Sequence, residues 1–181
     1  MSPMDLRADG IEDSVIHAIP YYLEIDKSDR LLRVKYAGKT YRQFRIAAGR
    51  GGPGDKHKLG DQRTPEGIYR IVGFNESSKF YMFIRLNYPN VKDAFSGLKS
   101  KLISKTEFER IIESLKFGKL PPQDTALGGA IGIHGVGEEN AKTLRIHANL
   151  NWTEGCVALT NREISELRSY VSVGTEVVIK E

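Results

Sequence analysis

Hydrophobic and polar positions alternate with period two through the first half of the chain, in short runs parted by turn residues. Tyr21-Tyr22-Leu23-Glu24-Ile25 stops at a charged run from Asp26 to Arg30, and Leu31-Leu32-Arg33-Val34-Lys35-Tyr36 then alternates again. Gly38-Lys39 turns the chain into a third run over 40–48. β-branched and aromatic residues at this spacing, between turn clusters, predict an antiparallel meander. Beyond a glycine-rich stretch over 49–60, the runs at 67–72 and 80–86 predict two more strands, and 175–179 a closing one. The period changes in two places. Ser104-Lys105-Thr106-Glu107 has the form of a capping box, ahead of Phe108, Ile111, Ile112 and Leu115 at helical spacing. Gly118 and Pro121-Pro122 supply the stop. Thr160-Asn161-Arg162-Glu163 repeats the box before Ile164, Leu167 and Val171. No repeat, heptad or linker divides the pattern, which predicts one mainly β domain with a few helices.

Composition narrows the class. A chain of 181 residues with 40% apolar positions can bury a full core, which excludes disordered and low-complexity classes. No apolar run approaches the ~18 residues of a membrane span, so no membrane insertion is expected of this segment. The 27 Lys and Arg against 23 Asp and Glu leave a net charge of +4, too evenly mixed to call for a nucleic-acid partner. Met1-Ser2-Pro3-Met4 opens without the basic-then-apolar form of an export leader. The single cysteine, Cys156, excludes an internal disulfide framework and any multi-cysteine metal site.

Several short motifs dissolve on inspection. Gly49-Arg50-Gly51-Gly52-Pro53-Gly54 matches G-x-G-x-x-G, but Pro53 and the charged Asp55-Lys56-His57-Lys58 follow where a helix would have to open. A surface loop is expected there. Ser96-Gly97-Leu98-Lys99 matches S-x-x-K by chance, since its partner motifs are absent, as are G-x-S-x-G and H-E-x-x-H.

The last third carries chemistry. Ile131-Gly132-Ile133-His134-Gly135 puts a histidine at the end of a short apolar strand, and Thr153-Glu154-Gly155-Cys156-Val157-Ala158-Leu159 follows with the cysteine behind a glycine. A glycine there lets the backbone turn sharply, so that successive N–H groups can face one point as an oxyanion hole. A thiol of pKa ~8.5 is only slightly ionised at neutral pH and needs an imidazole to activate it. His134 and His147 both qualify by position; a buried structural cysteine with a satisfied core histidine is the bland alternative. A zinc site of His134, His147 and Cys156 is a third arrangement, with irregular spacing against it. His17 and His57 fall in polar or loop contexts.

These residues resemble the L,D-transpeptidase catalytic domain of the YkuD type, which acts on bacterial peptidoglycan. Arg63-Thr64-Pro65-Glu66-Gly67-Ile68-Tyr69-Arg70-Ile71 is similar to the family's T-P-x-G-x-[FY]-x-I. Ile133-His134-Gly135 is similar to its I-H-G, Thr153-Glu154-Gly155-Cys156 to its [ST]-x-G-C, and Gly174-Thr175-Glu176-Val177-Val178-Ile179 to its closing strand. The resemblance implies an N-terminal extension over 1–20 and a catalytic domain over 21–181, built as a two-sheet β-sandwich with Cys and His at one end of a cleft. It implies Cys156 as nucleophile, His134 as base and the Gly135 carbonyl as its orienting partner. The N–H groups of Gly155 and Cys156 would hold the oxyanion, and Thr153 would shape the turn. The implied partner is a peptidoglycan stem peptide, with no cofactor and no metal, in a periplasmic or extracellular setting. The implied reaction is 3–3 cross-linking through a thioester, or hydrolysis as an L,D-carboxypeptidase or amidase; a non-enzymatic wall-binding module is the remaining rival. This chain departs from the pattern at Glu154, where the family commonly has His, and at Ala158, where it commonly has Arg. The longer stretch before Cys156 adds His147 and Trp152 which, with Glu154, are candidates for substrate contact. Gly155-Cys156-Val157-Ala158-Leu159-Thr160 is similar to a subgroup that hydrolyses the peptidoglycan–lipoprotein link.

Overall fold

The computed structural model describes residues 21–181; the extension over 1–20, with His17, lies outside the described residues. Three strands, β1 (Tyr22–Asp26), β2 (Leu31–Tyr36) and β3 (Lys39–Arg45), form the antiparallel meander that period-two alternation predicts. Leu23 and Ile25 face Val34 and Leu32 across the ladder, and all four are fully buried. Next come β4 (Gly67–Ser78) and β5 (Tyr81–Leu86), then α1 (Val91–Lys99) and α2 (Lys105–Lys116). The chain continues through β6 (Gly132–His134), α3 (Ala141–Asn149), β7 (Val157–Ala158), α4 (Asn161–Arg168) and β8 (Glu176–Lys180). The strands run in the order β3-β2-β1-β8-β4-β5-β6-β7.

The two expected sheets share one strand. Gly67 to Arg70 of β4 pair with β8, whereas Ile71 onward pair with β5, and the register shifts between Ile71 and Gly73. That change of partner is why β4 runs well past residue 72: its outer half has no second apolar face to alternate. The far ends of the strand order meet where Ala47 and Ala158 bridge, exchanging both backbone hydrogen bonds. Inside lies one apolar cluster that includes Leu23, Tyr69, Ile84, Ile133, Val157 and Leu167.

Both predicted capping boxes are present, Ser104 with Glu107 at α2 and Thr160 with Glu163 at α4. The helices α1 and α3 are additions to the expected elements, although Val91, Ala94, Phe95 and Leu98 of α1 stand at helical spacing. Their boxes use Asn90 with Asp93 and Asn140 with Thr143, and α3 buries a single residue, His147. Ser96 and Lys99 of the S-x-x-K match are exposed at the end of α1. A small separate core of Ala94, Ile103, Ile111 and Leu127 fixes α1 and α2 to the following loop. Among the described residues no helix is long and apolar enough to cross a membrane.

One pairing positions the chemistry. β6 and β7 are parallel neighbours, with Ile133 opposite Val157 and His134 opposite Ala158. The residue just before β7 is therefore set alongside Gly132, two positions before His134 and so on the same face of the sheet.

Candidate active site

The turn that carries Cys156 is built from hydroxyls and a glycine. Gly155 has φ +133°, and a Cβ there would stand 2.8 Å from the Arg63 carbonyl oxygen. No side chain fits without moving backbone. The buried Thr153 donates its hydroxyl to the Cys156 carbonyl at 2.6 Å and accepts the Gly155 N–H at 3.2 Å. That second bond corrects one expectation: the Gly155 N–H is engaged inside the turn and is not free for an oxyanion. The N–H of Cys156 has no acceptor among the described residues.

Under the turn lies the glycine-rich segment. Gly49 bridges Thr153 and donates its N–H to the Thr64 hydroxyl at 2.9 Å, while a Cβ on Gly49 would meet the Gln62 carbonyl oxygen at 2.2 Å. These glycines let two backbones approach beneath the cysteine. Thr64, the threonine of the T-P-x-G match, is buried there with its hydroxyl 3.5 Å from the Cys156 carbonyl oxygen.

His134 is 2% exposed at the end of β6. Its Nδ1 lies 2.6 Å from the Gly135 carbonyl oxygen. A carbonyl only accepts, so Nδ1 carries the proton and Nε2 is left with a free lone pair. Phe80 stacks on the ring at 4.3 Å between centroids, and Trp152 meets it edge-on at 5.7 Å. The Asn161 amide holds the loop behind, bonding both backbone groups of Gly137 at 3.1 and 2.7 Å. Sequence reasoning missed Phe80 and Asn161, because an aromatic at a strand edge and a polar residue at a helix start look ordinary.

Cys156 and His134 open on one cleft of about 710 Å³. Burial pushes the thiol up to about 11, against the opposing pull of the Gly132 N–H and of the Lys56 and Arg85 charges. Burial also lowers the His134 pKa below 6.5, and the bond to Gly135 recovers only part of that. Desolvation disfavours both charged forms, so the resting pair is a neutral thiol and a neutral imidazole. The thiol donates to the Ala130 carbonyl at 3.3 Å, and Ala130 sits at φ +54°, a strained conformation for a residue with a Cβ.

The remaining candidates separate. Trp152 and Glu154 line the cleft; Glu154 is exposed and paired with Arg50 at 3.1 Å. His147 is not among the residues lining the cleft. It is buried on α3, where its Nδ1 accepts the Trp152 indole N–H at 3.4 Å. This corrects its assignment as a substrate contact: a helix-borne imidazole behind the indole supports Trp152. Among the described residues no three His, Cys, Asp or Glu side chains are grouped to hold a metal, so His134, His147 and Cys156 do not form a ligand set. Ala158 is fully buried in the sheet, so its position presents no group to the cleft.

Comparison with known proteins bears on this geometry. YafK of Escherichia coli (strain K12), whose name gives L,D-transpeptidase as a provisional description, is 30% identical over 90 residues. That match covers 46% of this chain and 37% of YafK, so the chain spans well under half of that relative. Among solved structures, the helical cell shape determining protein Pgp2 of Campylobacter jejuni superposes with a TM-score of 0.55 at 23% identity, over 90% of this chain and 48% of Pgp2. Bd1075 of Bdellovibrio bacteriovorus gives 0.54 at 21%, over 88% and 47%. An L,D-transpeptidase of Xylanimonas cellulosilytica gives 0.51 at 14%, over 90% and 61%. At these identities the likeness is one of fold. The family model for the L,D-transpeptidase catalytic domain, YkuD, matches residues 20–179, and the chain belongs to that family.

Proposed function

We propose that this domain is a cysteine acyltransferase that cleaves the bond between the third residue and the terminal D-alanine of a peptidoglycan stem, in a cell-wall compartment. The observation that carries this reading is the His134 imidazole, fixed through Nδ1 on Gly135 and sharing one cleft with the Cys156 thiol. As the sulfur attacks the carbonyl, the thiol proton passes to Nε2 and the new S–C bond leaves an oxyanion, which the Cys156 N–H is free to meet. The imidazolium then gives its proton to the leaving nitrogen, the C–N bond breaks, and free D-alanine and a thioester result. The Gly135 carbonyl takes the place of a triad carboxylate, holding the tautomer without adding a charge.

An amine from a second stem resolves the thioester to a 3–3 cross-link, and water resolves it to a trimmed tripeptide. Glu154 favours aminolysis only weakly, because its Arg50 partner neutralises the carboxylate that could attract an ammonium. Hydrolysis as an L,D-carboxypeptidase is therefore a second outcome of the same acyl-enzyme. Mass spectrometry of muropeptides incubated with wild type and with Cys156→Ala tests the assignment. Cross-linked dimer rising with acceptor concentration supports the transferase; tripeptide alone at saturating acceptor makes the domain a hydrolase; product formed equally by Cys156→Ala removes the assignment.

A further inference from the structure

A lysine lines the cleft that holds the nucleophile, and nothing in the acyl-transfer scheme uses it. Lys56 lines the same cleft as Cys156 with only 3% of its side chain exposed. Its Nζ donates to Asp61 Oδ1 at 2.8 Å and to the Lys58 carbonyl at 2.9 Å. An ammonium has three N–H groups, and among the described residues the third has no acceptor. The placement is rigid. Asp61 also accepts the backbone N–H groups of His57, Lys58 and Arg63 at 2.7, 3.0 and 3.2 Å. Burial raises that carboxyl, but these four donors more than offset it and hold Asp61 at about 2, so it stays ionised and keeps Lys56 in place. The Lys56 charge is felt at the Cys156 sulfur. Two other cations are nearby. Lys79 is exposed over the Phe80 ring, and Arg85 lies over Phe83 and does not line the cleft.

We propose that Lys56 is the carboxylate receptor of the site, binding the α-carboxylate of the departing D-amino acid and so restricting the enzyme to peptides that end there. The chemistry fits the position. In the bound donor the scissile carbonyl sits on sulfur, and the leaving residue's carboxylate carbon lies two bonds beyond the nitrogen that is expelled. Beyond its bond to Asp61, this buried ammonium keeps one unused donor with which to give an incoming carboxylate a charge-assisted hydrogen bond. Ala158, fully buried in the sheet beside His134, supplies no cation. This inference rests on the stem-cleaving reading above and deepens it: a preference for free carboxyl ends excludes internal amide bonds as good substrates.

The test compares kcat/KM for a stem tetrapeptide as free acid and as C-terminal carboxamide, in wild type, Lys56→Met, Lys56→Arg and Lys79→Met. Wild type is expected to prefer the acid by roughly 10–100-fold, the range of one charge-assisted bond. Lys56→Met should bring the ratio close to one, and Lys56→Arg should retain most of it. Running both arms with meso-diaminopimelate and with L-lysine at the third position separates the two carboxylates of the donor. A second measurement needs neither turnover nor a variant: protection of Cys156 from alkylation by N-acetyl-D-alanine against N-acetyl-D-alaninamide. Protection by the acid alone supports the receptor even if no stem peptide is cleaved, a result that would remove the stem-cleaving reading only. A preference that survives Lys56→Met, that is lost in Lys79→Met, or that follows the third residue's side chain overturns it, as does equal protection by acid and amide.

Discussion

Cys156 and His134 rest uncharged because one cleft desolvates both, which separates two reactions that a thiolate–imidazolium pair would merge. Alkylation by iodoacetamide needs free thiolate, so its rate should climb through the alkaline range toward the thiol pKa of about 11. Turnover needs only neutral imidazole, and the depressed His134 pKa moves the acid limb of kcat below pH 6.5. Alkylation and turnover rising together near neutrality would show an ion pair instead. Thr153 acts at one remove, through the carbonyl of Cys156. Thr153→Val should lower kcat/KM by about tenfold or more, with Thr153→Ser close to wild type, since one lost hydrogen bond of ~1–1.5 kcal/mol is roughly tenfold. A Ser variant as impaired as Val would place the effect in packing of the methyl group.

At the scale of elements, the hairpin between β2 and β3 holds a correctable strain. Its two loop residues, Ala37 and Gly38, have φ +47° and +76°, the signs of a type I′ turn. Alanine is disfavoured there, and Ala37→Asn should raise stability by about 0.5–1 kcal/mol in urea melts without altering turnover. An unchanged or lower midpoint would show that the open end of the hairpin frays. The same turn shows what could be read in advance. Glycine and alternation gave away the hairpin, and the S/T-x-x-E boxes gave away α2 and α4, because each is a local preference written in adjacent residues. The helices α1 and α3 were missed for different reasons: α1 carries Val91, Ala94, Phe95 and Leu98 at helical spacing but opens on an asparagine cap without an S/T-x-x-E box, and α3 buries only His147. Spacing alone left His134 and His147 side by side as partners for Cys156; the family resemblance singled out His134, and the fold puts it on the cleft with Cys156 while His147 lies behind Trp152. Lys56, Phe80 and Asn161 were not legible, since only folding brings a loop lysine, a strand-edge ring and a helix cap to one cleft.

The whole molecule carries a pH signature of its buried histidines. Burial depresses both His134 and His147, so the unfolded chain binds protons near pH 6.5 that the folded one refuses. Their contribution is present above that pH and lost as pH falls through 6.5, at up to about 1.4 kcal/mol per unit for each. Between pH 6.5 and 5 the lowered carboxylates, among them Asp26 and Asp61, are ionised in both states and add no slope, while burial raises Asp93, which works against the two histidines. Stability should therefore fall across that window, and less steeply in His147→Gln; a flat profile would mean that the imidazoles are solvated in the fold. The central claim is the acyl-enzyme itself. Intact-protein mass spectrometry during reaction with a stem tetrapeptide should show one adduct equal to the tripeptide acyl group, on the peptide containing Cys156, with free D-alanine released in step. D-alanine released with no adduct at any time point, or an adduct that also forms on Cys156→Ala, would contradict it.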